Sequence, residues 1–535
     1  MNGSKTRSMV IASSKKDQQW DPKLKAEETP IKLEQEYPFL GVEVPSDIRF
    51  NGHVQKMVTK GRKRNRVLKC MSGKNWGNTR ETQRTIYVQY VRTAMTYASP
   101  SWTPWISETN MKALQRTQND ALRTIMGSAA TCPTDFLHLD ANIEPIRERL
   151  IKNDQLLRQR YMRLPRQDPR RKLAEKKGNI RLKTRLGWRE KTKPKETDKE
   201  YCIEEIKPPL EPWRRTNLKF DAVTLAKPKN EHSKEELKKK TDEKLAEMKA
   251  DIMIWTDGST NANQERGGAG VFVEDKRTGT TEKLSFAAGE ICSSFGAEGV
   301  AMLRALEWLE EHPVGETIIC TDSLSVHAAL EKDNWKDAQD WIRKIKLQSR
   351  KMAGQVTILW VPSHCGVEGN EEADRLAEIG TKLDQKETPI TQAIAYAKVK
   401  KKIWKITHKR AKTIFQEKFK PKLEIEKKWP RRVQSMFSRL RSGHCKELKQ
   451  YRYKIDVEDD PWCECGEVES IEHVLCDCPI LDEIRRRVIE EPVEPHHLVT
   501  KPEEARTILA KRFENLKLEH DFAEIRDDEA PLGAR

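Results

Sequence analysis

The chain has 535 residues, with 100 Lys and Arg against 83 Asp and Glu, a formal net charge of +17 at pH 7, and 36% hydrophobic residues. That length divides into several domains, and the basic excess favours a polyanionic partner, nucleic acid first, over an ordinary salt-bridged surface. No apolar run reaches the roughly 18 residues needed to span a membrane, and the polar, Lys-rich stretch from Met1 to Gln19 has no apolar core to act as a signal peptide. The eleven cysteines are scattered except for one cluster near the C-terminus, which reads as metal ligands in an intracellular setting. In chain order, Phe39 to Val44 reads as a strand, closing a first region at 1–50. Helical periodicity then runs through 51–164: Asn51 to Leu68, Thr79 to Ala98, Ser107 to Met126 (Met111, Leu114, Gln118, Ala121, Leu122, Ile125) and Ile143 to Leu164. The basic run Lys60-Gly61-Arg62-Lys63-Arg64-Asn65-Arg66 reads as a nuclear address or a phosphate-contacting face, and as readily as a solvated helix face.

Leu40-Gly41-Val42, Ser72 to Trp76, Tyr97-Ala98-Ser99-Pro100-Ser101-Trp102 and Leu114-Gln115-Arg116-Thr117-Gln118-Asn119 resemble the segment after the catalytic palm of retrotransposon reverse transcriptases. The resemblance implies a remnant of the palm at 1–50, with Asn2 to Thr6 as its last trace, and a helical thumb or connection at 51–164. Polymerase chemistry needs its own aspartate pair, and none stands upstream of this region; Asp459-Asp460 lies far downstream in a loop. The expectation is therefore a C-terminal part of a mobile-element polyprotein that does not polymerise DNA by itself.

Residues 165–250 are rich in Lys, Arg, Glu and Pro with few apolar anchors, the composition of a mostly disordered basic linker with a helical patch at Lys234 to Ala250. Trp188 and Trp213 are isolated exceptions, suited to docking on a neighbouring domain or to stacking on a base.

Between 251 and 382 the pattern sharpens. Ile252 to Thr256, Gly267 to Glu274, Lys283 to Ala287, Thr317 to Thr321 and Val356 to Val361 read as strands. Ser294 to Glu311 reads as a helix, and another starts at Asn370, its expected cap. Four carboxylates stand where elements end or begin: Asp257 and Asp322 after strands, Glu298 and Asp374 in first helical turns. Singly, Asp322 serves as well for a helix cap, Glu298 for a favourable charge at a helix N-terminus and His364 for a loop histidine. Together they can converge on one point, where oxygen ligands suit hard cations such as Mg²⁺ and two ions make a clamp for phosphodiester hydrolysis.

The strings Thr256-Asp257-Gly258-Ser259, Ala297-Glu298, Thr321-Asp322-Ser323 and Trp360 to Asp374 (WVPSHCGVEGNEEAD) resemble the type 1 ribonuclease H domain as carried by non-LTR retrotransposons. The resemblance implies an α/β domain with a mixed five-stranded sheet and flanking helices. It implies two Mg²⁺ ions held by Asp257, Glu298, Asp322 and Asp374, and His364 on a mobile loop assisting proton transfer or product release. It also points to Ser259, Ser323 and Asn370 as substrate-positioning residues. Gly299, directly after the helical Glu, departs from good helix chemistry and signals either a close backbone approach or decay.

After the nuclease-like segment, 383–458 is basic and helical (Ala393 to Phe419, Trp429 to Arg441), with Arg431, Arg432, Arg439 and Arg441 interleaved so that one face packs and the other meets phosphate. In 459–482, Cys463, Cys465, His473 and Cys478 can form a closed tetrahedral Zn²⁺ site, although Cys-x-Cys is tighter than usual. These residues resemble the Cys-Cys-His-Cys element of insect-type non-LTR retrotransposons, which implies structural zinc. The segment 483–535 reads as a charged tail with a helix at Pro502 to Leu518. The expected activity is Mg²⁺-dependent endonucleolytic cleavage of the RNA strand of RNA–DNA hybrids, recognised through minor-groove shape and 2′-OH groups. The alternative is a catalytically inactive remnant that binds RNA or DNA. Neither reading calls for a membrane or indicates an oligomeric state.

Overall fold

The computed structural model describes residues 6–12, 14–175, 192, 201–207, 210–211, 216–261, 266–312, 315–332, 339–352, 354–410 and 426–518. Asn2 to Lys5 of the palm trace, nearly all of the linker between 176 and 200, Trp188, Trp213, the second half of the helix expected to reach Phe419, and the tail beyond 518 lie outside the described residues. The chain forms two compact units, one of Met1–Leu157 with Val399–Arg535 and one of Arg158–Lys398.

The second unit is built on a sheet of β1 (Leu218–Ala222), β2 (Ile252–Thr260), β3 (Gly267–Asp275), β4 (Thr280–Gly289), β5 (Thr317–Thr321) and β6 (Val356–Trp360), in the order β4-β3-β2-β5-β6-β1. β2, β3 and β4 pair antiparallel; β5 joins β2 and β6 in parallel, and β1 adds to β6 in parallel. The sheet therefore has six strands, not the expected five. The sixth comes from the stretch read as a linker, because an edge strand needs apolar residues on one face only, and Leu218 and Phe220 supply them to the core.

Side-chain alternation splits the interior between the two faces of this sheet. Ile252 and Ile254 pack with Met302, Leu306, Leu309, Ile319 and Ile358, whereas Met253 and Trp255 pack with Cys320, Leu359 and Leu376. The helices are α1 (Lys234–Glu247), α2 (Ser294–Glu311), α3 (Leu324–Glu331), α4 (Asp340–Ser349) and α5 (Glu368–Lys382). Each starts for a local reason where a cap is formed: Ser233 and Glu236 make a capping box for α1, and the Ser293 hydroxyl accepts from the Gly296 N–H of α2 at 3.1 Å. Helix α5 begins at Glu368 with Val367 at the cap position, so Asn370 is not the cap; it lies inside the first turn and is buried. Gly268 and Gly270 of β3 let α5 lie directly on the sheet, since a Cβ on either would overlap the α5 backbone between Ala373 and Thr381.

In the first unit, Phe39 to Val44 is not one strand but a hairpin of Glu36–Phe39 and Val42–Pro45. Leu40 (φ 48°) and Gly41 (φ 83°) form its two-residue turn with positive φ at both positions. The expected helices form at Asn51–Met71, Arg80–Met95 (with a π-helical stretch at Tyr87–Arg92), Glu108–Met126, Ile146–Met162, Arg431–Ser442 and Pro502–Ala510. Met57, Leu114, Leu122 and Ile125 share one core with Val433, Phe437, Leu440, Ile508 and Leu509, so the two ends of the chain fold together. The arginines of Arg431–Ser442 do not form a phosphate-facing stripe. Arg441 is fully buried against Asp140 and Glu426, Arg439 pairs with Glu447, and Arg431 donates to the Thr124 and Ile125 carbonyls at the end of Glu108–Met126. A helix enclosed on all sides must pair its charges internally, whatever its periodicity suggests.

Candidate active site

Strand register brings the first two carboxylates together. β2 and β5 run parallel with Thr256 opposite Thr321, so the next residues, Asp257 and Asp322, stand side by side where that pairing ends. β2 itself continues to Thr260 against β3. Gly258 admits the third: a Cβ there would overlap the backbone of Ala297 and Glu298, so its absence lets the start of α2 rest on the strand. Helix α5, seated on Gly268 and Gly270, brings Asp374 near enough for its charge to act on Asp257, while its oxygens group with His364 and Glu371 and not with the other three carboxylates.

Oxygens of Asp257, Glu298 and Asp322 lie within 4.8 Å of one another. Burial, and then the charges of Asp322 and Asp374, push the Asp257 carboxyl up to about 7. Burial, with Asp257 and Asp322, pushes Glu298 up to about 10. Asp322 is raised by burial and partly held down by the Asn370 amide, His364 and Lys229. Asn370 Nδ2 donates to Asp322 Oδ2 at 3.3 Å, while Glu298 Oε2 and Asn370 Oδ1 are buried without a hydrogen-bond partner among the described residues. Helix α3 takes Ser323 as its cap residue, so Asp322 does not serve as a cap; its carbonyl accepts from Trp360 Nε1 at 3.1 Å. A cluster of all-oxygen donors that repel one another, with an orphaned carboxylate oxygen among them, fits a divalent cation.

His364 is exposed at the tip of the loop between β6 and α5, held at φ 53°, with Nδ1 or Nε2 within 4.8 Å of oxygens of both Glu371 and Asp374. Glu371 Oε1 also accepts from the Gly366 N–H at 3.3 Å and ties the loop to α5. Ser259 is half-buried on β2 two residues past Asp257, and Ser323 Oγ lies 3.1 Å from Ser325 Oγ. Two site-facing residues escaped the sequence reading. Glu371 stood in plain view as an ordinary helix-start charge, and Lys229, bonded to Ser363 Oγ beside His364, lies in the supposed linker. Gly299 is accounted for by close approach: a Cβ there would overlap the Trp341 indole.

The first unit carries a second group. Cys463, Cys465, His473 and Cys478 place their ligand atoms within 4.8 Å of one another, with Cys465 Sγ 3.1 Å from His473 Nε2 and Cys463 Sγ 3.9 Å from Cys478 Sγ. The tight Cys-x-Cys turn closes through Gly466 (φ 94°) and the Cys463 N–H bonded to Glu467 O at 2.7 Å. Three sulfurs and an imidazole so arranged can hold a metal ion. Cys476, His444 and Cys445 stand outside the group; His444 and Cys445 contact Thr131 and Glu447 instead.

The family described as RNase H matches residues 248–382. The ribonuclease H of Hyphomonas neptunium is 31% identical over 144 residues, 24% of this chain and 91% of the relative. That of Baumannia cicadellinicola is 33% identical over 144 residues (25% and 91%), and that of Jannaschia sp. is 33% identical over 147 residues (24% and 90%). The chain belongs to the ribonuclease H family. It is a hydrolase of the nuclease class with a nucleic-acid substrate, in a family that generally uses divalent metal. Among the described residues no helix is long and apolar enough to cross a membrane.

Proposed function

We propose that the chain cleaves the RNA strand of RNA–DNA hybrids with two Mg²⁺ ions held by Asp257, Glu298, Asp322 and Asp374. The observation that carries this is the geometry of Asp257, Glu298 and Asp322, partly to fully buried with oxygens within 4.8 Å of one another and with Glu298 Oε2 lacking a hydrogen-bond partner among the described residues. When bound, the cations would supply Lewis acidity and neutralise charge on the phosphate. The chain's own residues do the rest. Asn370 holds Asp322 in place, and Ser259 and Ser323 meet the sugar–phosphate backbone. His364, exposed and flanked by Glu371 and Asp374, takes or returns a proton at its ring nitrogen. Activity tests this reading together with binding: Asp257→Asn should lower hybrid cleavage by at least about a hundredfold, the loss expected of a transition-state charge contact, while hybrid affinity stays within about threefold. A mutant that cuts at the wild-type rate removes the metal assignment.

We further infer that this domain works within a retrotransposon replication protein that lacks a polymerase site of its own in the present chain. Support comes from the sequence resemblance of 51–164 to a thumb-like region and of the Cys-Cys-His-Cys group to a structural zinc element.

A further inference from the structure

The family match begins at residue 248, but the compact nuclease fold begins earlier. β1 pairs with β6 from Leu218 opposite Val356 to Ala222 opposite Trp360, and the Val223 N–H donates to Trp360 O at 3.0 Å. Because β1, β6, β5 and the first half of β2 are parallel, this extension delivers the chain to the same sheet edge as Asp257 and Asp322. There α1 folds back over the loop that carries His364. Leu237 and Val223 are buried in one cluster with Val361, Cys365 and Val367, Lys244 bonds Asp221 at 2.7 Å, and the His327 ring contacts Asp221 O at 3.0 Å. His364 sits in a left-handed backbone conformation at φ 53°. The extension packs against that loop through Val223 and Leu237. It also sets Lys229, otherwise exposed, on Ser363 Oγ, near enough for its charge to act on Asp322.

We propose that Lys229 is a substrate-binding residue, presented by the β1–α1 extension to a backbone phosphate of the nucleic acid beside His364. An exposed ammonium tethered by one hydroxyl keeps donors for a phosphate oxygen. The proposal rests on reading the carboxylate cluster as a hybrid-cleaving site.

The test compares steady-state cleavage of an RNA–DNA hybrid by the full chain, by Lys229→Ala and by Lys229→Arg, with hybrid affinity measured across a salt series on an Asp257→Asn background. Loss of one phosphate contact should raise KM about tenfold with kcat within about twofold, and reduce the salt slope of binding by about one. Lys229→Arg should restore both, which a merely structural role would not predict. If the wild type cuts the hybrid and Lys229→Ala keeps its KM and salt slope, or loses kcat alone, or is not rescued by Arg, Lys229 does not bind substrate and the reading of the site stands. If the wild type cuts no hybrid, the reading of the site falls and this proposal falls with it.

Discussion

Trp341 lays its indole against Gly299, so a single missing β-carbon decides how closely α4 approaches α2. Gly299→Ala gains up to about 1 kcal/mol of helix propensity but forces overpacking that costs about 1–3 kcal/mol. A net loss of about 1 kcal/mol on denaturant unfolding is expected; an equally stable variant would show that the ring yields freely. Asp257 and Glu298 make a pH prediction. Their folded values are raised, so the metal-free fold holds protons that the unfolded chain releases. That advantage is full below about pH 4, falls as pH rises through about 7 for Asp257, and continues to fall toward about 10 for Glu298. At the proposed metal site Mg²⁺ would replace those protons, so the rise in Tm on adding it should be larger at pH 8 than at pH 5.5, by at least about 2 °C. An increment independent of pH would mean the cation binds elsewhere. Asp257 and Asp322 were legible because apolar β-branched runs end on them, and Glu298 and Asp374 because they stand in the strings Ala297-Glu298 and Asn370 to Asp374. Lys229 was not, since nothing local separates one exposed lysine from its neighbours in a charged stretch.

The Cys463–Cys478 element is anchored to the core through Ile471, Val474 and Leu475, while its Cys463–Gly466 turn is held by the Trp462–Val468 bridge and the four candidate ligands. Structural metal contributes folding energy directly in such small elements. A strong zinc chelator should open it to protease cleavage between Cys463 and Cys478, and added Zn²⁺ should restore protection; cleavage indifferent to chelation would mean free thiols. The ligand spacing was readable in sequence. Strand β1 was not, because Leu218-Lys219-Phe220-Asp221-Ala222 offers only the half-pattern an edge strand needs, and its partner lies far along the chain at Val356–Trp360. The cap of α5 was misplaced by three residues, at Asn370 and not Val367, because Asn370 is a good cap by type, yet its side chain is committed to Asp322.

At the scale of the molecule, the first unit ties distant segments through charge as well as apolar contact. Glu426 binds both Arg80 and Arg441, and Asp140 binds Arg441 and accepts from Ser438 Oγ at 2.6 Å, all with side chains almost wholly buried. Burial opposes the charge of Glu426, and the two arginines overcome it and hold its carboxyl low. Glu426→Gln leaves the buried Arg80 and Arg441 to share Asp140 as their one remaining carboxylate and should destabilise this unit by about 3 kcal/mol, measured by denaturant unfolding; a loss below about 1 kcal/mol would mean that Asp140 alone suffices. Periodicity reports which face of a helix is apolar, and so suggested a phosphate-facing stripe. It cannot report that a segment more than 300 residues away in sequence supplies the counter-charge. The nuclease unit was legible because its chemistry is concentrated in short strings such as Pro362-Ser363-His364, whereas the first unit is held by pairings that no local window contains.

The central claim is tested most directly by offering the purified chain a labelled RNA–DNA hybrid, with Mg²⁺ and then with EDTA, beside single-stranded RNA and duplex DNA. Mg²⁺-dependent cutting confined to the RNA strand of the hybrid is expected. Tight binding without cutting, or cutting that survives EDTA, would contradict it.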